Sequence, residues 1–156
     1  YQSRQRGVFP MKITIQTDET QTEIAVDIRC PGLTPELEKV ISLLRTLDMK
    51  LTGQKERSTY ILDVSQVLYI DSADKKTFLY TENEVYESDL RLYELEEQLA
   101  RADFIRAGKS SIVNLRRIMS LRSEIDGRIR VTMSNGEKLV VSRQYAGILK
   151  QRLGVK

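Results

Sequence analysis

The residues best suited to chemistry in this chain are cations and small hydroxyls placed where the backbone is about to turn. In "FIRAGKSSIVNL", residues 104–115, Arg106 and Lys109 flank Gly108, and Ser110 and Ser111 follow. Ile112, Val113 and Leu115 then require a core, so packing explains the second half of the stretch and not the first. Serine hydroxyls and a backbone laid open by glycine donate to phosphate oxygens. In "VSRQY", residues 141–145, Arg143 and Gln144 follow Ser142, a good capping residue, and open the last helical pattern. A helix N-terminus offers unpaired N–H groups and partial positive charge to an anion. An arginine there opposes the helix dipole, a cost that makes sense when an anion arrives. Arg and Gln are also side chains that read guanine and adenine edges in the major groove.

Composition removes most other chemistry. The chain has no histidine and one cysteine, Cys30, which excludes an intrachain disulfide, a zinc site and Ser-His or Cys-His catalysis. Cys30 is expected as a small buried hydrophobe at a strand end. A carboxylate-dependent metal nuclease needs convergent acids beside a basic surface, yet residues 101–156 hold only four acids, widely spaced. No catalytic residue, metal site, cofactor or small-molecule substrate is therefore expected, and the chain reads as a binding protein, not an enzyme. The net charge of +3 conceals a division: residues 1–100 carry a net −6 and residues 101–156 a net +9. Such asymmetry suits a polyanionic partner. No segment approaches the roughly 18 apolar residues of a membrane helix, and a reducing cytoplasm fits the cysteine count.

The positioning elements read as mostly β with α, an α+β chain. Residues 1–10, "YQSRQRGVFP", have no structural pattern and read as an appended leader or disordered tail. Residues 11–48 predict a small ββα module. "MKITIQT" and "TEIAVDIR" alternate apolar and polar residues around the turn "DETQ", and a helix begins at Thr34-Pro35 with Leu37, Val40, Ile41, Leu44 and Leu47 on one face. From residue 49 to 156 the pattern is many short strands, among them "STYILDV", "QVLYIDS", "KTFLYT" and "EVYES", with short helices. "SDLRLYELEEQLARAD" predicts one helix, capped by Ser88 with Leu92, Leu95 and Leu99 buried. Asp126-Gly127 and Asn135-Gly136 predict hairpin turns in which both residues take positive φ. "SRQYAGILKQRLG" predicts the last helix, with Tyr145, Ile148, Leu149 and Leu153 inward and Gly154 as its stop.

Taken in order, "FIRAGKSSIVNLRRI", the DG-turned strand pair and "NGEKLVVSRQYAGILKQRL" resemble the LytTR family of bacterial DNA-binding domains. The family pattern of aromatic-x-Arg-x-x-x-Ser-x-Ile-Val-Asn falls on Phe104, Arg106, Ser110, Ile112, Val113 and Asn114. The Asn-Gly hairpin and Val-Ser-Arg-x-Tyr fall on Asn135-Gly136 and on Val141, Ser142, Arg143 and Tyr145. "VLYIDSADKKTFLYT" resembles the family's opening strand pair, so the likeness covers about residues 50–155. The resemblance implies a multi-stranded β domain that inserts loops into the major groove of double-stranded DNA carrying repeated half-sites. It implies a bacterial transcriptional regulator. By position, it assigns DNA contacts to Asp74, Lys75, Lys76 and Thr77, to the loop of Arg106, Lys109 and Ser110, and to Arg143 with Gln144. Many members carry a histidine where this chain has Gly108. The short segment before the domain resembles stand-alone regulators without a receiver domain, which implies a homodimer at least on DNA and a small membrane protein as a regulatory partner.

A second class remains open beside that resemblance: a protein-interaction module whose basic surface binds an acidic partner. The arginines at 116, 117, 122, 128 and 130 read as solvated surface. Tyr60, Tyr69 and Tyr80 read as core or cross-strand partners, and Asn114 as a residue satisfying nearby backbone.

Overall fold

The computed structural model describes residues 11–47 and 49–155. The leader expected at residues 1–10 lies outside the described residues. The alternating, β-branched sequence after Met49 folds into two antiparallel sheets. β1 (Lys50–Lys55), β2 (Ser58–Asp63), β3 (Tyr69–Ala73), β4 (Lys76–Tyr80), β5 (Val85–Ser88), β6 (Phe104–Arg106) and β7 (Ser111–Asn114) form one sheet in the order β2-β1-β5-β4-β3-β7-β6. β8 (Ile118–Ser123), β9 (Ile129–Met133) and β10 (Lys138–Val141) form the other, in the order β10-β9-β8. Three helices accompany them: α1 (Pro35–Thr46), α2 (Leu92–Leu99) and α3 (Arg143–Leu153).

The period of two splits the larger sheet's side chains between two cores. Ile70, Leu79, Ile112 and Phe104 point to one face, where Leu92, Leu95 and Leu99 of α2 cover them. Tyr69, Val113 and Ile105 point to the other, against Ile129, Val131, Met133 and Val141 of the smaller sheet and Ala146 and Leu149 of α3. β3 and β7 are therefore covered on both sides, which is why "VLYI" and "SIV" read as nearly continuous apolar runs. Burying a side chain such as Leu95 or Leu149 completely contributes about 1.5–3 kcal/mol. The tyrosines expected as strand partners are so: Tyr69 stacks on Tyr80 at 4.3 Å, and Tyr60 tilts against Tyr86 at 5.2 Å.

Several local expectations give way to packing. The predicted strands at 11–17 and 22–29 are not strands: residues 11–34 form no ladder, and their side chains, Cys30 included, are exposed. Period-two alternation specifies a face that must lie on something, and among the described residues no strand pairs with either segment. Residues up to Gly32 form one unit and Leu33–Lys156 another, so α1 belongs with the β domain. There the Ser42 hydroxyl donates to the Arg101 carbonyl at 2.5 Å, while Leu37, Val40, Ile41 and Leu44 are half-buried and Leu47 is exposed. Ser88 ends β5 instead of capping α2. The helix starts three residues later, where the Arg91 amide donates to Glu94 Oε1 at 2.9 Å. Ile148 of α3 is exposed, and Ala146 takes the inner place. In both glycine hairpins only the glycine has positive φ, +89° at Gly127 and +91° at Gly136. Each loop has three residues, with the glycine amide closing a turn onto Glu124 or Met133 and the ladder resuming one residue later, a bulged hairpin in place of a two-residue one.

Strand β1 carries a glycine with a structural reason that sequence spacing does not reveal. A Cβ on Gly53 would stand 2.6 Å from Tyr86 Cβ of the neighbouring β5. Gly53→Ala should lower stability by about 1–3 kcal/mol, as overpacking of a close strand contact does. Urea unfolding checks this as a lower midpoint at an unchanged slope.

Candidate nucleic-acid interface

Three cation-bearing segments meet at one end of the larger sheet, joined through their backbones. β3 and β4 pair to the last residue, Ala73 with Lys76, leaving Asp74 and Lys75 as a two-residue turn with φ of +52° and +66°. β3 also pairs with β7, Asp71 against Ser111, and the Ser72 amide continues that ladder by donating to the Ser110 carbonyl at 2.8 Å. The loop between β6 and β7 is closed by the Ala107 amide donating to the Ser111 carbonyl at 2.9 Å. The start of α3 is tied to the same loop, because the Ser142 amide donates to the Ala107 carbonyl at 2.8 Å.

The side chains in this cluster divide into two groups. Lys75, Lys76, Lys109, Ser110, Arg143 and Gln144 are exposed. Among the described residues none of the four cations in that group is in an ion pair. Arg106 and Thr77 differ. Thr77 is buried. Arg106 is mostly buried, with Nε on Glu96 Oε1 of α2 at 2.9 Å and Nη1 donating to the carbonyls of Gly108 at 3.3 Å and Lys109 at 2.9 Å. An alternating strand turns every second residue inward, and a guanidinium with this many internal acceptors holds its loop in shape.

Two further residues shape the cluster without being visible in sequence spacing. Glu96 orients Arg106, and its only advance signal is its place on α2. Gly127 lies under Arg143: a Cβ there would be 2.9 Å from Arg143 Cγ. The Asp-Gly turn is legible in sequence, but its contact with the last helix is not. Gly108 has an ordinary backbone conformation, and a Cβ would meet only Ser111 Oγ at 3.4 Å, so the loop has room for a side chain there. Ser142 occupies the α3 N-cap without accepting a side-chain capping bond, leaving first-turn N–H groups for an outside acceptor.

Most other arginines of the basic segment are paired. Asp103 accepts from Arg116 at 2.9 Å and Arg152 at 2.8 Å, Asp126 from Arg128 at 2.7 Å, and Glu124 from Arg130 at 3.0 Å. Arg117 Nε donates to the Ser65 carbonyl at 2.9 Å. Backbone and side-chain bonds from Arg128 hold the Asp126 carboxyl below its ordinary range.

Residues 57–154 match the family model of the LytTr DNA-binding domain. The chain belongs to the LytTR family of DNA-binding domains. An uncharacterised HTH-type transcriptional regulator of Staphylococcus aureus strain NCTC 8325 is 33% identical over 147 residues, covering 93% of this chain and 99% of that one. Its counterpart in the bovine strain RF122 is 32% identical over the same length. Among solved structures, a LytTr DNA-binding domain from Bacillus cereus superposes with a TM-score of 0.63 at 30% identity, over 67% of this chain and 96% of that one. Among the described residues, no helix is long and apolar enough to cross a membrane.

A partly buried acid lies on the β3 strand of this LytTR surface. Asp71 of β3 pairs with Ser111, and burial pushes its carboxyl above the ordinary 3.8. A folded-state value above the unfolded one means the native state binds the extra proton, so stability falls as pH rises through that window. Asp71→Asn should therefore melt higher than the parent at neutral pH, and the gap should close as pH falls towards 3.8. Thermal melts across that range check both the sign and the window.

Proposed function

We propose that this LytTR chain is a sequence-specific, double-stranded DNA-binding transcriptional regulator of the bacterial cytoplasm. In this reading it inserts the Asp74–Lys75 turn, the Gly108–Ser110 loop and the start of α3 into the major groove. The observation that carries the reading is the backbone lock between these segments, Ser72 to Ser110 and Ala107 to Ser142, which presents the cations on one rigid end. Lys75, Lys76 and Lys109 meet phosphates as point charges. Arg143, its stem seated over Gly127, offers a positioned fork to a guanine edge, with Gln144 beside it. The open first turn of α3 receives a phosphate. Arg106 and Thr77 serve by holding the loop and the strand pair, a change from the direct contacts that position in the motif assigns them. Binding by two copies to repeated half-sites adds avidity to what one small surface provides.

Two titrations test this. Four phosphates neutralised per copy give a slope of log K against log salt of about −3.6. A slope near zero, or equal affinity for an acidic protein, would instead favour a protein-interaction module. Lys109→Ala should weaken all duplexes alike and reduce the slope by about one, whereas Arg143→Ala should lose roughly 1–3 kcal/mol of discrimination at one or two base pairs. Selection from a random duplex pool with each variant reads the difference, after circular dichroism has shown both folded.

A further inference from the structure

The outer face of the smaller sheet carries cations that the reading loops do not use. Ile129, Val131 and Val141 turn into the core, so period two turns the residues between them outward. The register sets those residues in two rows. Arg122 lies opposite Arg130, which has Val140 on its other side, and Ser120 lies opposite Thr132, which has Lys138 on its other side. The rows are two residues apart along the strands, about 7 Å. A shallow cleft of about 370 Å³ is lined by Ser120, Leu121, Arg122, Arg130, Thr132 and Lys138. Like charges directly opposite one another on neighbouring strands destabilise a sheet. Among the described residues Arg122 and Lys138 are in no ion pair, and Glu124 meets only Arg130, at 3.0 Å. Three cations therefore share this face with one carboxylate and two hydroxyls.

We propose that this face binds backbone phosphates of duplex DNA just outside the bases that the loops read. The inference rests on the DNA-binding reading and extends it to a surface outside the motif's assigned contacts. Continuity with the reading end selects this occupant. β8 and β9 are joined by the turn whose Gly127 lies under Arg143, so the tip of this hairpin belongs to that end. Past the turn comes the Ser123–Ile129 pair, with Ile129 in the core, and then Arg122 with Arg130, the first outward pair of the ladder. Ser120, Thr132 and Lys138 stand one row farther back. Duplex backbone leaving the half-site past Arg143 meets Arg122 and Arg130 first and Lys138 next. Guanidinium, ammonium and hydroxyl groups hold phosphate oxygens and carry no base information. A phosphate between Arg122 and Arg130 replaces their mutual repulsion with attraction to a shared anion. An acidic protein matches the charge, but nothing ties it to the reading end.

Two duplexes carrying the same single half-site test this, one ending at the half-site and one extended by about ten base pairs, one helical turn, on each side. The full chain should bind the extended duplex more tightly, with a slope of log K against log salt steeper by about 1.8 for two added phosphates. Arg122→Gln/Lys138→Gln should bind both duplexes with the parent's short-duplex affinity and slope, and should keep the parent's base preference in selection from a random pool. Glu124→Gln, which releases Arg130 from its carboxylate, should widen the gain from extension. Circular dichroism checks that each variant is folded. A parent that gains nothing from extension, a double variant that keeps the whole gain, or a narrowed gain in Glu124→Gln would overturn the proposal. A double variant that keeps the gain but loses binding to an acidic protein would give the face to that partner instead. Absence of base preference on the short duplex would tell against the DNA reading itself, whereas preference without an extension gain tells against this inference alone.

Discussion

The pairing of β3 with β7 is the constraint from which the rest of this domain takes its position. Tyr69 lies against Val113 and Ile70 against Ile112, with a separate core on each face of the pair. One end of the pair is pinned by Asn114, whose backbone amide donates to the Leu68 carbonyl at 3.0 Å and whose buried side-chain Nδ2 donates to Val67 at 2.8 Å. Its Oδ1 accepts the Arg116 amide at 3.0 Å, so both polar ends of the carboxamide are satisfied. An unsatisfied buried partner would cost about 1–3 kcal/mol, which makes this register hard to slip. The opposite end runs on through Ser72 and Ser110 into the loops that carry the exposed cations. The core thus dictates where those cations stand.

The basic excess of residues 101–156 is smaller in effect than its count suggests. Three of its four acids, Asp103, Glu124 and Asp126, pair with arginines, and the fourth, Glu137, accepts the Tyr69 hydroxyl at 2.8 Å. Burial first, and that hydrogen bond second, raise the Tyr69 phenol well above its ordinary range, so it stays a donor. Partly exposed ion pairs such as these contribute little stability, about 0–1 kcal/mol each. Their effect is to fix arginine orientation, which leaves Lys109 and Arg143 to project positive charge where the loops converge. Charge counting alone does not separate the paired arginines from the exposed cations; the hydrogen-bond geometry does.

What could be read in advance follows the range of the physics involved. The strands of the β domain, α3 with Gly154 as its stop, and the motif that places Phe104, Ser110 and Asn114 were legible, because period and local turn chemistry are written in neighbouring residues. The late start of α2, capped at Arg91 and not at Ser88, and the bulged form of both glycine hairpins were not, because packing against distant strands decides between locally acceptable alternatives. The strands foreseen at 11–17 and 22–29 show the complementary limit. Alternation specifies an apolar face but not what covers it, and in this chain nothing among the described residues beyond those arms is assigned to it. Among the residues that the motif assigns to DNA, Lys109 and Arg143 are exposed, while the inward turn of Thr77 and the internal bonds of Arg106 depend on strand phase and on Glu96.

The opening motif therefore reads better as an instruction for building a loop than as a roster of contacts. Phe104 and Ile105 enter opposite cores and fix β6. Arg106, anchored by Glu96, clamps the carbonyls of Gly108 and Lys109. The chain then turns back at Ser111 onto β3. With both flanks and the carbonyls of the loop restrained, much of the backbone entropy around Lys109 and Ser110 is already lost during folding. The rigidity comes from apolar and inward-facing side chains, and that is why such residues make up most of the motif.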